Sequence, residues 1–323
     1  MREGAEPPRV GYASDDGRLV VSVGGFLQAR VTAEQDAESI VSLPRTRFYT
    51  FGHVLDPAMR YRVMLGTVGM DPHLRVFDAY GEWSASEALR IRAGHFKVPA
   101  LREWMESARL LGSVERSSAT VAVLPGRGTG AMLSGDPSDH LSYAVGAFDG
   151  PEAFSEPGPT AAGRVVWNVL GEAIEGEIDF EHTAPRMSFG ASMLGRKLEM
   201  EERLHDEEIL YGADVAVRAR GVDIGAEAFQ RRRFGGAGEA TDAGGYVRGD
   251  YYFRVIRSSI GARISVLDLE SEATPRRFVD YELDVGWYPY GHQLKLLTDV
   301  GIRSNLVDAT LQPTFRAQLQ AAF

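Results

Sequence analysis

The chain alternates apolar and polar residues at period two along most of its length. In "YVRGDYYFRV", Val247, Gly249, Tyr251, Phe253 and Val255 share one side, against Arg248, Asp250, Tyr252 and Arg254. In "FVDYELDVGWY", Val279, Tyr281, Leu283, Val285 and Trp287 oppose Asp280, Glu282 and Asp284. "MRYRVML" sets Met59, Tyr61, Val63 and Leu65 against Arg60 and Arg62, and "LRVFDAYGEW" puts Asp78, Tyr80 and Glu82 on one side. Such a repeat makes a strand with one apolar and one charged face. Sixteen segments carry it, over 19–32, 44–55, 59–69, 74–84, 88–96, 127–135, 140–149, 162–170, 185–195, 208–219, 221–233, 245–256, 259–269, 276–288, 291–303 and 312–323.

The connections add a second pattern. Even-numbered ones are mostly tight turns such as "LDPA", "SASE", "DPSD" and "YPYG". Odd-numbered ones are mostly long and polar, over 33–43, 97–126, 150–161, 196–207, 234–244 and 304–311. Two connections depart from the rule: the even one at 171–184 is long, and the odd one "GMDPH" is short. Short turns at one end and long loops at the other are what a transmembrane β-barrel requires. Lipid offers no partner to a backbone amide, so strands cross a bilayer only as a closed sheet. The apolar face then meets lipid and the polar face the lumen, with Trp83, Trp167 and Trp287 near strand ends, where interfacial aromatic girdles sit. A soluble β-sandwich or solenoid also alternates. Its buried face needs large aliphatic residues, whereas here Ala, Gly, Tyr and Phe are used as freely as Leu and Val. The expectation is an all-β, 16-stranded antiparallel transmembrane barrel over 19–323, preceded by an N-terminal periplasmic extension, 1–18, without heptads.

Composition excludes several alternatives. No apolar run approaches the ~20 residues of a spanning helix. The net charge of −10 argues against a nucleic-acid partner. With no cysteine, no disulfide can form, which fits an exported chain. "MREGAEPPRV" has no apolar core of a signal peptide, so either the protein is cytosolic or its export signal has been removed from this sequence.

Nothing in the sequence points to an enzyme, a cofactor or a metal. The seven histidines are scattered and form no H-x-x-x-H pair. "GRGTG" at 126–130 lacks the ending of a phosphate loop and opens a strand, and Gly-x-Ser-x-Gly is absent. The chemistry lies in lumen-facing charge, since pores select ions by rings of charge and by diameter. Candidates are Arg45, Arg47, Arg60, Arg62, Arg90 and Arg92 on consecutive strands. They form either an anion-conducting ladder or a set of braces paired to Asp78 and Glu82. Asp214, Asp223, Glu227, Asp280, Glu282 and Asp284 oppose them in sign, and "EMEERLHDEE" at 199–208 adds acid in a loop.

Over 74–149 a longer pattern emerges. "DAYGEW", "LRIRAGHFKVPALREWMES", "ERS", "PGRGTGAMLSG" and "LSYAVGAFDG" follow one another in the order and style of the phosphate-selective porin O and porin P family of bacterial outer membranes, which the chain resembles. "LDPAMRYRVML" and "AAGRVVWNVLGE" extend the resemblance. It implies a homotrimer in the outer membrane, in contact with lipid and lipopolysaccharide, passing small ions or solutes. It also implies that the long third loop, 97–126, folds into the lumen as the constriction. There "VPALREWMES" is expected as a short helix, with Pro99 in its first turn and Leu101, Met105 and Ala108 packed on the wall. Arg102, Glu103, Glu106, Arg109, Glu115 and Arg116 would face the aperture, with Arg127 on the next strand. Phe323 matches the terminal phenylalanine that the outer-membrane assembly machinery reads in such porins. The implied function is a passive diffusion channel for small, phosphate-like anions or other small hydrophilic solutes. The alternative is a non-conducting barrel that acts as a scaffold or adhesion surface through long acidic loops.

Overall fold

The computed structural model describes residues 10–35, 39–69, 71–152, 158–197, 207–235, 238–270 and 276–323. In chain order the strands are β1 (Val10–Ala13), β2 (Leu19–Glu34), β3 (Ile40–Val54), β4 (Asp56–Val68), β5 (Asp71–Ser86) and β6 (Leu89–Lys97). Two short helices follow, α1 (Arg102–Met105) and α2 (Ser118–Ala122). Then come β7 (Arg127–Ser138), β8 (Leu141–Glu152), β9 (Thr160–Leu170), β10 (Arg186–Lys197), β11 (Glu207–Ala219) and β12 (Val222–Gly235). The chain finishes with β13 (Gly238–Phe253), β14 (Ser258–Leu269), β15 (Arg276–Trp287), β16 (Leu294–Asn305) and β17 (Leu311–Ala322).

From β2 onward each strand pairs antiparallel with the next, and β17 returns to β2 from Thr314↔Glu34 to Ala322↔Phe26. The sixteen strands β2 to β17 thus form a closed ring, which removes every sheet edge. The expected number of ring strands and their order stand, with ends displaced by a few residues.

Exposure is inverted relative to a soluble domain. Val285 is 53% exposed while its neighbour Asp284 is 4% exposed. Trp83, Trp167 and Trp287 all point outward. Many buried positions along the strands are instead charged or polar, among them Arg164, Asp223, Arg248, Arg263 and Gln320, while apolar residues are buried mainly where the long third loop packs on the wall. This is the apolar-out, polar-in distribution of a membrane barrel.

Three features depart from the sequence expectations. β1 lies within the segment expected as an extension, and it pairs with β2 from Val10↔Val23 to Ala13↔Val20. A tight turn makes this possible: Gly17 takes φ 68°, and Ser14 Oγ donates to Asp16 at 2.6 Å and accepts from Leu19 N–H at 3.0 Å. The helix expected over "VPALREWMES" is a single turn, α1. Lys97 Nζ donates to the carbonyls of Trp104, Met105 and Glu106 at 2.8, 3.2 and 2.9 Å, which takes up acceptors that a further turn would need. A second helix, α2, starts at Ser117, whose Oγ accepts from Thr120 N–H at 3.1 Å as an N-cap.

The irregular connection at 171–184 also finds its place. It lies at the short-turn end, and Ile174, Glu177, Ile178 and Asp179 within it are buried.

Candidate functional site in the barrel lumen

Loop 3, residues 98–126, fills one side of the lumen. Glu227 of β12 accepts the backbone N–H groups of Arg102 and, at 3.1 Å, of Glu103. Arg263 of β14 meets the Glu103 carboxylate at 3.3 Å and the Glu115 carbonyl at 2.9 Å. Lys295 of β16 donates to the carbonyls of Arg109 and Leu111 at 3.0 and 2.6 Å. Within the loop, Glu103 accepts from Ser117 N–H and Oγ at 2.9 and 2.7 Å. The loop is therefore fastened to the β12–β16 wall through charge-assisted bonds in a dry setting.

The opposite side stays open. A cavity of about 590 Å³ lies between loop 3 and the inner faces of β3 to β10. From the wall come Arg45 and Arg47 on β3, Arg62 on β4, Arg92 on β6, Arg127 on β7 and Arg164 on β9. From the loop come Arg102, Arg109 and Arg116. With Lys97 that makes ten cationic side chains, against the carboxylates of Asp78, Glu106, Glu115 and Glu175.

Several of these guanidinium groups lie on aromatic faces. Arg47 lies 3.6 Å from the Phe77 ring centroid, Arg92 4.1 Å from that of Tyr80 and Arg62 4.8 Å from that of Tyr49. Stacking of this kind holds a flexible side chain in place. The forks themselves are engaged: Arg92 meets Glu82 through both Nε and Nη2, and Arg47 donates to the Thr46 and Thr67 carbonyls.

The carboxylates are distributed among the arginines. Asp78 receives Arg127 Nε at 2.9 Å and lies 3.6 Å from Arg62 Nε. Glu82 receives Arg92 Nε at 2.8 Å. Glu115 lies between Arg45 and Arg30, the latter at 3.0 Å. Burial pushes the Glu115 carboxyl up, but those two arginines outweigh it and hold it well below the ordinary range. The Glu106 carboxyl is shifted the other way, raised by burial and by nearby Glu177 against the opposing pull of Arg102.

Of the sequence candidates, the structure brings Arg62, Asp78, Arg92, Arg102, Glu106, Arg109, Arg116 and Arg127 into the cavity wall, together with Arg45 and Arg47. Three candidates lie outside it. Arg60 is exposed beside the β3–β4 turn, donating to the Pro57 carbonyl at 3.4 Å. Arg90 pairs with Asp136 at 2.9 Å near the β5–β6 turn. Glu82 is buried behind Arg92. Two cations were missed by sequence reasoning, Lys97 and Arg164. Arg164 pairs with Asp214 at 2.6 Å and sits on the polar side of "GRVVWN", the signal that marks it.

The acids on the other wall do not line the cavity. Arg303 covers Asp280 at 2.7 Å, Arg218 and Arg248 both meet Asp223, and Glu227 is spent on loop 3. A local excess of cations thus coexists with a net charge of −10. Among the described residues, no group of three or more His, Asp or Glu is arranged to hold a metal ion.

No family model matches the sequence, and neither does any curated protein. Solved structures do match across nearly the whole chain. The anion-selective porin from Comamonas acidovorans superposes with a TM-score of 0.66 at 9% identity, covering 94% of this chain and 99% of that one. OprB of Pseudomonas putida gives 0.69 at 10% identity, covering 93% of each chain. The trimer form of OmpT, an outer membrane protein of Vibrio cholerae, gives 0.64 at 9% identity, covering 94% and 99%. At these identities the likeness is one of fold, and the fold is that of bacterial outer-membrane porins.

Proposed function

We propose that this chain is a passive outer-membrane porin that favours small anions, phosphate-like oxyanions among them. The observation that carries the reading is the lane of nine arginines and Lys97 along the open side of the lumen. Field lines concentrate where an aqueous path is narrow and its walls have low dielectric, so charges there outweigh charges on distant loops. Guanidinium groups match oxyanions because their fork is planar and offers two parallel donors. The anion-selective porin among the structural neighbours and the porin O and P motifs over 74–149 both support this reading.

In this reading the short-turn end faces the periplasm, the functional unit is a homotrimer, and Phe323 is presented to the assembly machinery. The trimer form of a neighbour supports the second point. Single-channel recording in planar bilayers tests the function. Repeated conductance steps with a zero-current potential of anionic sign in a salt gradient are expected. Silence from well-inserted protein would instead favour a scaffold, and a cationic potential would overturn the anion preference.

A further inference from the structure

Resting on the reading of the barrel as a pore, we propose that loop 3 is only half of its constriction. The β9–β10 connection is the other half, and the two form one septum joined at Glu177. In a simple barrel this connection would be a tight turn. Instead residues 174–180 run into the lumen, with Gly176 turning the chain at φ 68°.

Three sets of bonds hold it there. Toward the wall, Arg218 donates to the carbonyls of Glu175 and Gly176 at 2.8 and 2.9 Å, and Gly221 N–H donates to Asp179 at 2.8 Å. Toward the turn end, Phe180 packs edge-on against Tyr252, Tyr288 and His292, with centroids 4.9, 5.2 and 4.9 Å away. Toward loop 3, Glu177 N–H donates to the Leu110 carbonyl at 3.2 Å, and the Glu177 carboxylate accepts from Gly112 N–H at 2.7 Å. Gly176 N–H completes this joint by donating to Glu106 at 3.0 Å.

Glu177 is 2% exposed and lies 3.4 Å from Arg248, so its charge is balanced as well as bonded. A buried carboxylate bonded to loop 3 and to a wall arginine fixes the position of its own segment between them. The outcome is a continuous partition against the β11–β17 wall. Ala173, Ile174 and Glu175 sit at its edge and form part of the cavity lining. The lane therefore ends at residues 173–175, and their bulk and the Glu175 carboxylate set what leaves it.

Excision of residues 173–183 tests this. Gly171, Glu172, Ala184 and Pro185 remain to join Leu170 to Arg186, a usual hairpin loop length. Arg218 keeps Asp223, and Arg248 keeps Asp223 and Asp250, so the wall arginines stay paired. Single-channel conductance of the excised variant is expected to rise at least about twofold over the intact chain, as a widened aqueous path requires. Equal conductance would overturn the proposal. If the intact chain conducts, equality removes the septum alone; if both are silent, the porin reading falls with it.

A second variant leaves the chain length intact. A Cβ on Gly112 would lie 3.4 Å from that of Glu177, close to disulfide geometry, and the chain has no other cysteine. Gly112→Cys with Glu177→Cys should crosslink on oxidation, conduct like the intact chain when oxidised, and conduct more and with greater noise when reduced. Failure to crosslink, or identical traces in both states, would overturn the joint at Glu177.

Discussion

Arg62 and Asp78 face each other across the β4–β5 pair, with Nε 3.6 Å from Oδ2. Arg127 holds the other oxygen of the same carboxylate at 2.9 Å. One acid thus braces two cations, yet all three side chains line the open lane. In the proposed pore reading, ladder and brace would be one arrangement: the carboxylate fixes the guanidinium groups, and cations still outnumber acids along the cavity.

This predicts how selectivity responds to charge reversal. Arg62→Glu together with Arg92→Glu should move the zero-current potential in a salt gradient toward cation selectivity. In 1 M salt the shift should shrink, because the Debye length falls to about 3 Å. An unchanged potential in the double variant would leave those arginines as braces only.

Selectivity should also depend on pH through Glu106. Its carboxyl is raised by burial and by Glu177, with Arg102 and Lys97 opposing. It therefore takes up its proton at a higher pH than an ordinary glutamate. As pH falls the lane therefore loses this negative charge earlier than an ordinary glutamate would lose its own, and anion preference should increase. No histidine lines the cavity to mimic the effect. Glu106→Gln should flatten the pH profile of the reversal potential; an equally steep profile would place the titrating group elsewhere.

The two faces of β15 should respond in opposite ways. Val285 points outward and Asp284 inward. Val285→Arg should destabilise the barrel, because a charge on the lipid face costs ~2–4 kcal/mol at the midplane and less toward the interface, where neighbouring Trp287 ends the strand. Asp284→Arg should cost less. Urea unfolding from lipid vesicles measures both, and the reverse order would mean that the strand is slipped by one residue.

Closure of the ring should depend on the contact between Phe323 and Gly25. Phe323 N–H donates to Gly25 O and Gly25 N–H donates to Phe323 O, both at 3.0 Å. A Cβ at Gly25 would stand 2.8 Å from the Phe323 ring. Gly25→Val, like deletion of Phe323, should lower the yield of barrel that resists SDS at room temperature, with export across the inner membrane intact. Undiminished yield in both would make Phe323 a passive aromatic.

The strands were legible because period two is local: each residue's face follows from its neighbours, as for Asp284 and Val285. The inward path of 171–184 was not. Its anomalous length was visible, but its pins are Arg218, Arg248 and Gly112, far away in sequence. For the same reason the alternation marks Arg164 and Asp280 alike as lumen-facing. Which of them lines the cavity depends on where loop 3 lies, and that is set by tertiary bonds to Glu227, Arg263 and Lys295. β1 escaped notice because four residues are too few for a period to declare itself.

β1 and β17 occupy the same edge of β2, end to end. Phe323 stands opposite Gly25 and Val10 opposite Val23, so Gly24 alone separates the two footprints. A slip of β17 by one residue would turn its charged face to lipid. A slip by two toward the short turns, the smallest that preserves the faces, would drive Phe323 into the place already taken by Val10. The first hairpin thereby acts as an end stop for the last strand: a chain that folds β1 early can zip shut in that direction only as far as its native register.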